Sequence, residues 1–457
     1  MTAVIVLAAG EGRRMQSHRP KVLHEVGGVP MLEHVLTSTE GLSADARVVV
    51  VGPDHAAVDA LVGDRAAVVT QVERRGTGDA VALALAALPA SISRVLVLYG
   101  DAPLVPAALL ADLLKAAVPD PLAACLVTVL VDDPTGYGRI VRNPAGELYG
   151  VVEECEASDA ERAIREVNTG VGLWDRAALA AALAEVPLHG AEKYLTDAVS
   201  RLLQSGRRVG TVCAADARRF WGVNTRAQLA QVEAVQRALT LERLMASGVT
   251  IVDPATTYVD AGVQVGMDSV LHPGTWLRGR TVVGEQVEIG PHAEVSDSQV
   301  DDHAVIRQAV VEQSHVGAHA RVGPFSHLRA GTYLERDVYV GNYVELKNAR
   351  MGLGSKAGHH SYLGDVTVGS HVNIGAGAVV VNYDGEQKHH SFIGDDAFIG
   401  CNANLVAPVE IGAGAYVAAG STVTHNVPAQ ALAIARSRQE NKADWVRHRG
   451  LVGKVPR

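Results

Sequence analysis

Beyond Gly248 the chain repeats every six residues. Val259, Val265, Leu271, Leu277, Val283, Ile289 and Val295 keep one phase. A second run covers Val310, Val316, Val322, Leu328, Leu334, Val340 and Leu346; a third covers Val368, Ile374 and Val380; a fourth covers Ile393, Ile399, Leu405, Ile411, Val417 and Val423. An amphipathic helix repeats at 3.6 residues and a half-buried strand at two, so neither explains a period of six. A parallel β-helix does, because one aliphatic residue per short strand points inward and stacks on its equivalent a coil away. Glycine often follows that residue, as at Val283-Gly284, Ile289-Gly290 and Ile411-Gly412, where it lets the chain turn a corner. Aromatic residues make up only 4% of the chain, which suits a prism too narrow for rings. Breaks in phase near 296–309, 347–361 and 381–392 read as inserted loops, where solenoids carry sites.

The residues before Thr225 follow another grammar. VIVLAA, ARVVVVG and RVLVLYGD are continuous apolar runs rich in β-branched residues, as buried parallel strands are. MLEHVLTSTEGL and TGDAVALALAAL between them read as helices, giving an α/β doubly wound pattern. Residues 225–247 form a connecting helix with Leu229, Val232, Gln236 and Leu239 on one narrow stripe, Asn224 or Thr225 as its cap and Gly248 as its stop. The expected division is 1–224, 225–248, 249–427 and a tail, 428–457.

With 457 residues the chain is too long for one ordinary core. A net charge of −9 argues against binding a nucleic-acid backbone. No apolar run is long enough to span a bilayer and no basic region precedes the first apolar run, so the cytoplasm is the expected compartment. Cys125, Cys155, Cys213 and Cys401 are scattered without a CxxC, so neither a disulfide framework nor a zinc site is expected. The first three, lying in or beside strand-like segments, read as core; Cys401 reads as a buried, inert thiol or, less simply, a nucleophile.

Two stretches carry chemistry. In LAAGEGRRM, a strand runs into Gly10 and Gly12, whose amides can wrap phosphate oxygens, and a following helix would add its positive end. Arg14 and Lys21 supply full charges. The segment lacks the lysine-containing P-loop and the third glycine of a dinucleotide fingerprint, and a ligand-free tight turn would look similar. In LYGDAPL, Asp101 follows a strand's carboxyl end and reads either as a Mg²⁺ ligand or as a helix N-cap. His359 and His360 are adjacent, and on an extended strand they would face opposite ways, which disfavours a shared metal. The other histidines of the repeat region read as solvated corner residues.

LAAGEGRRM, RPKVLHEVGGVPML, QVERRGTGDA, LYGDAPL, DDPTGYGRI, VVEE, VNTGV and WGVN occur in an order that resembles the sugar-phosphate nucleotidylyltransferases. With a hexapeptide prism behind them, and KAGHHSYLGD within it, nearly the whole chain resembles the bacterial bifunctional N-acetylglucosamine-1-phosphate uridylyltransferase / glucosamine-1-phosphate acetyltransferase family. The resemblance implies a Rossmann-like nucleotidyltransferase domain, a connecting helix and a left-handed parallel β-helix. It implies UTP contacts at Leu7, Ala8, Ala9, Gly10, Lys21, Gln71, Gly76 and Thr77, with Arg14 stabilising charge at the reacting phosphates. Tyr99, Gly138, Glu153, Asn168, Tyr194 and Thr196 would line a sugar pocket, and Asp101 and Asn224 would hold Mg²⁺. In the prism, His359 would be the general base. Arg329, Lys347, Tyr362 and Asn373 would bind glucosamine-1-phosphate. Asn382 and Tyr383 would meet the acetyl group, and Ala376, Cys401, Ala419 and Arg436 the rest of acetyl-CoA. A homotrimer with acetyl-transfer sites between chains is implied, and a tail helix on a neighbouring chain would bring Arg436 to coenzyme A phosphates. The chain departs from the family pattern at Glu11, Arg13 and Cys401, where lysine, a hydroxyl residue and serine are usual. Two other readings stay open: a nucleotidylyltransferase whose prism only assembles it, which would not need His359, Arg329 and Lys347, and a noncatalytic sugar-nucleotide binder, which would not need Asp101 and Asn224.

Overall fold

A computed structural model describes residues 1–116 and 122–451. The chain divides into two compact units, Met1–Thr240 and Leu241–Arg457.

In the first unit, strand Thr2–Ala8 lies between Ala46–Val51 and Arg94–Tyr99, parallel to both. Its side chains alternate between two cores. Ala3, Ile5 and Leu7 join a cluster with helices Gly76–Ala87, Arg176–Glu185 and Leu195–Gln204, while Val4, Val6 and Ala8 join one with helices Met31–Glu40 and Ala107–Ala116. Burial on both faces, at about 1.5–3 kcal/mol for each large aliphatic side chain, is why this strand reads as a continuous apolar run. The sheet is mixed. Strand Glu166–Asp175 runs antiparallel to Arg94–Tyr99 and to Ala124–Leu130. Strand Val209–Ala214 pairs in parallel with Ala124–Leu130 at the far edge, and hairpin Arg139–Arg142/Leu148–Val152 is attached to strand Glu166–Asp175. The helix expected after Gly12 is only a single 3-10 turn, Arg13–Met15. It is too short to supply a helix-end dipole, so positive charge at this loop comes from side chains.

Helix Arg226–Ala246 begins at Thr225, whose Oγ1 accepts from the Gln228 amide at 3.2 Å. It stops at Gly248, where φ is +94° and the Val249 amide reaches back to the Leu244 carbonyl. Val232 and Val235 pack with Met15, Val26, Met31, Leu104 and Val223 in the first unit. Val235 is buried where the narrow stripe had Gln236, which instead donates to Thr240. Leu241 and Leu244 join the second unit's core. Among the described residues no helix is long and apolar enough to cross a membrane.

The second unit is a left-handed parallel β-helix. Each strand pairs in parallel with the strand one coil later, as in Tyr258↔Trp276, Gln264↔Val282 and Val270↔Glu288. The hexad residues are buried with one exception: Val310 is 37% exposed, and Val311 is the inward residue. The physical reason is a shortened corner. Val295, Val300, Ile306, Val311, Val316 and Val322 are all buried, so some steps are five residues instead of six. The break at 296–309 is therefore a loss of residues, not an inserted loop. The same holds for 347–361, where strands Glu345–Met351 and Tyr362–Val368 run through the corner and Met351, Ala357, Leu363 and Val368 stay inward. Only 381–392 is an insertion, closed by a Tyr383↔Lys388 bridge. The glycines beside inward residues make room for the next coil: a Cβ on Gly375 would lie 2.6 Å from the Cys401 amide.

His303, His319 and His371 take left-handed corner conformations, as expected, but His315 and His327 sit on strands facing Asp301 and Glu312, and His272 directly follows strand Val270–Leu271 and faces Glu288. Of the cysteines only Cys125 is buried. Cys213 lies on the sheet's edge strand, Cys155 in the turn after the hairpin, and Cys401 at a prism corner, where no core covers them. In the tail, Trp445–His448 forms one short helical turn; residues 452–457 lie outside the described residues.

Candidate functional site

Two cavities open at the carboxyl ends of the first unit's strands, where open α/β sheets bind ligands. The larger, about 700 Å³, is lined by Leu7, Ala8, Ala9, Gly10, Arg14, Lys21, Gln71, Gly76, Thr77, Tyr99 and Asp101. The smaller, about 260 Å³, is lined by Tyr99, Asp101, Gly138, Glu153, Asn168, Thr196 and Asn224. Tyr99 and Asp101 belong to both. The structure thus groups all but one of the first-unit candidates. Tyr194 lines neither cavity and packs instead against the His189 ring, 5.3 Å away.

Lys21 is the hinge of this arrangement. Its side chain is buried, and its ammonium donates to Asp101 Oδ2 and, at 3.0 Å, to Asn224 Oδ1. Its stem lies against the glycine loop. A Cβ on Gly12 would sit 2.7 Å from Lys21 Cβ, and one on Gly10 would sit 3.6 Å from Nζ. Asp101 is not a helix cap; its carboxylate faces this cation. Glu11, the acidic departure in the loop, is neutralised by Arg13 at 2.6 Å and Arg74 at 3.5 Å. Arg74 also donates to the Ala9 carbonyl and lines the larger cavity. Sequence reading missed it and Glu192, although ERRGTG places a cation beside the loop.

The sugar-side residues are held by contacts far apart in sequence. Gly76 has φ of +88°, and the Gly78 amide donates to the Lys193 carbonyl, which docks Thr77 on the start of helix Leu195–Gln204. There the Leu195 amide donates to Thr77 Oγ1 at 3.0 Å. Thr196 Oγ1 donates to Glu153 Oε1 at 2.7 Å. Burial pushes the Glu153 carboxyl above its ordinary range despite that bond. Burial also pushes the Tyr99 phenol up, with the Glu153 charge adding to the effect. A Cβ on Gly138 would lie 3.1 Å from a Val151 methyl, a tight contact, and 3.6 Å from the Glu153 carboxylate, so glycine keeps this side of the cavity open. Its loop is anchored by buried Arg139, paired with Glu154 at 2.5 Å. A register shift between Asn168 and Gly172 turns Asn168 to the cavity.

Asp101 and Asn224 offer two oxygens converging on one cation position, a fit for Mg²⁺ completed by phosphate oxygens. Among the described residues no cluster of three or more His, Cys, Asp or Glu side chains forms a protein-only metal site.

In the prism the candidates fall into two groups. His359, Ala376, Cys401 and Ala419 occupy one corner, each two residues past the stacked Ala357, Ile374, Ile399 and Val417. Arg436 lies beside this column, its Cδ 3.6 Å from where a Gly420 Cβ would be. Strand Lys356–His359 ends at His359, and His360 turns the corner with φ of +42°. The corner, not strand alternation, separates the two histidines. The second group lies on the next face. Arg329 donates to Glu345 at 2.8 Å, Lys347 pairs in register with Gly364, and Tyr362 with Glu345. Lys388, from the inserted loop, approaches Lys347, and this neighbour and Arg329 hold the Lys347 ammonium below its usual range. Lys388 was missed because only the loop's fold brings it there. Asn348 and Asn382 donate to Asp365 at 2.7 and 2.5 Å, tying successive coils together beneath the loop. Tyr383 is 56% exposed on that loop. Asn373 lies on the first face, paired with Lys356 and Phe398.

Residues 4–209 match the MobA-like NTP transferase domain, and residues 390–425 match the bacterial transferase hexapeptide (six repeats). The bifunctional protein GlmU of Exiguobacterium sp. is 45% identical over 97% of this chain and 99% of its own length. Those of Brevibacillus brevis and Streptomyces avermitilis are each 45% identical, over 98% and 97% of this chain and 98% and 94% of their own lengths. A nucleotidyltransferase sheet and a hexapeptide prism in one polypeptide, alike from end to end, make this chain a transferase of the bifunctional GlmU family.

Proposed function

We propose that the chain makes UDP-N-acetylglucosamine in two steps, first transferring an acetyl group from acetyl-CoA to the amine of glucosamine-1-phosphate, then transferring UMP from UTP to the resulting N-acetylglucosamine-1-phosphate. In the second step a phosphate oxygen of the sugar phosphate attacks the α-phosphorus of UTP and pyrophosphate leaves. The larger cavity holds UTP, with the Gly10–Gly12 amides, Lys21 and Arg14 against its phosphates. The smaller holds the sugar, through Glu153, Asn168, Thr196 and the Gly138 backbone. Mg²⁺, held by Asp101 and Asn224, supplies charge neutralisation at the phosphates. Arg14 spreads the charge that develops during transfer. The observation that carries this reading is the convergence of the Asp101 and Asn224 oxygens on one point, at the Lys21 ammonium, where the two cavities meet.

In the first step His359 removes a proton from the amine as it attacks the thioester, and coenzyme A leaves as the thiol. Arg329, Lys347 and Lys388 form a basic patch suited to the sugar phosphate. The corner column and this patch lie on adjoining outward faces, so a pocket enclosing both needs another surface. A homotrimer supplies it, with acetyl-CoA between chains. The stacked, exposed Phe398 and Tyr416, with exposed Leu432 beside them, give the prism an apolar stripe for such contacts. The cytoplasm is the proposed compartment.

Glucosamine-1-phosphate, acetyl-CoA, UTP and Mg²⁺ together should yield free thiol and then pyrophosphate. Pyrophosphate from N-acetylglucosamine-1-phosphate, with no thiol from any amino-sugar phosphate, would reduce the prism to a scaffold.

A further inference from the structure

We propose that Lys21 is a placeholder cation that keeps the Asp101–Asn224 pair closed to divalent metal until a nucleotide draws it away. The inference rests on the reading of Asp101 and Asn224 as metal ligands. The Lys21 ammonium takes both oxygens that would face the metal. A half-buried carboxylate left unpaired there would be unfavourable, and the ammonium offsets its charge and holds its geometry. Ammonium and dication cannot share one such position, because like charges a few ångströms apart in a partly buried site repel strongly. The lysine has somewhere to go. Its Nζ lies 3.6 Å from where a Cβ on Gly10 would be, so it already borders the loop that receives the phosphates. Two of its three donors are engaged by Asp101 and Asn224, and an arriving triphosphate offers stronger anionic acceptors. A short swing of the flexible side chain exchanges one set of partners for the other and vacates the metal position. The site thereby takes metal together with nucleotide, not before it.

The test is Mn²⁺ binding to the full chain, followed by electron paramagnetic resonance of the free ion, with and without UTP. Wild-type protein alone should bind Mn²⁺ weakly. Lys21→Met, without nucleotide, should bind one Mn²⁺ more tightly by about tenfold or more, since the competing charge is gone. Lys21→Arg keeps a cation and should stay weak, which separates charge from mere loosening of the loop; thermal melts check that each variant is folded. The gain in Lys21→Met should vanish in the Lys21→Met/Asp101→Asn double variant. If folded Lys21→Met binds Mn²⁺ no better than wild type, while wild type with UTP binds it in an Asp101-dependent way, the placeholder idea is wrong and the metal reading survives. If Asp101→Asn leaves Mn²⁺ binding in the presence of UTP unchanged, the metal reading fails and takes the inference with it.

Discussion

The two units bury their residues by opposite rules. The prism's apolar core is built from Ala, Val, Leu, Ile and Met side chains stacked on neighbours one coil away, with small hydroxyl residues such as Ser269, Thr275 and Thr281 buried beside them. Its rings lie outside, in stacks such as Tyr258–Trp276 at 4.0 Å and Phe325–Tyr343 at 5.3 Å. The sheet unit buries Trp174 and Phe220, and its contacts join segments far apart in sequence. The consequence is functional. A sheet covered on both sides leaves concave ends, so one chain can enclose both substrates. A prism has only outward faces, which is why the proposed acetyl transfer calls for a second surface.

That contrast can be broken most decisively by cutting the chain. We propose that the domains are separable near the end of the connecting helix. A fragment ending at Ala246 should then release pyrophosphate from UTP and N-acetylglucosamine-1-phosphate, with no acetyl transfer. A folded fragment without uridylyl transfer would show that the sheet unit is not self-sufficient. Next in size is a crossed pair of substitutions. His359→Ala should lower thiol release by about two to four orders of magnitude, less at high pH where more of the amine is already neutral. His360→Ala should do much less. Asp101→Ala should lower pyrophosphate release by about two to three orders, and neither His359→Ala nor Asp101→Ala should cross into the other activity. Equal losses of both in a folded protein would mean the residues are structural.

The shortened corner gives a smaller, sharper test. Val311→Ala should destabilise the prism by about 2 kcal/mol in denaturant unfolding, whereas Val310→Ala should stay within about 0.5 kcal/mol. Equal costs would return Val310 to the core. The smallest effect concerns Glu153. Because burial raises its pKa in the folded state, the native protein holds a proton that the unfolded chain has already released. Its contribution is therefore most favourable below the unfolded value of about 4.5 and is lost as pH rises through the higher folded value. Glu153→Gln should raise the melting temperature at pH 7 by a few degrees, with the difference closing near pH 4. A constant difference across that range would mean Glu153 titrates normally.

Much of this molecule could be read from its residues in order. The six-residue period announced the prism because its core contacts repeat at fixed, short separations. VIVLAAG, LYGDAPL and the other blocks located the nucleotide unit because strand ends and glycine loops are local features. Their likeness to one family supplied His359, Asp101 and Asn224. What the linear order could not give was anything set by distance between segments. Val310 and Val311 differ by one position in a run of valines and glutamate, and only coil stacking decides which points inward. The absent helix after Gly12 depended on how Arg13–Met15 packs, since Met15 is drawn into the core beside Val232. The exposure of Cys155, Cys213 and Cys401 followed from edge and corner positions, not from their apolar neighbours. Lys388 reached Lys347 only through the inserted loop. Lys21 met Asp101 and Asn224, 80 and 203 residues away, only because three strand-end loops converge on one point. Local pattern specifies periodic elements, since each repeats its own contacts. A site made from several loops exists only once the tertiary fold has brought their ends together.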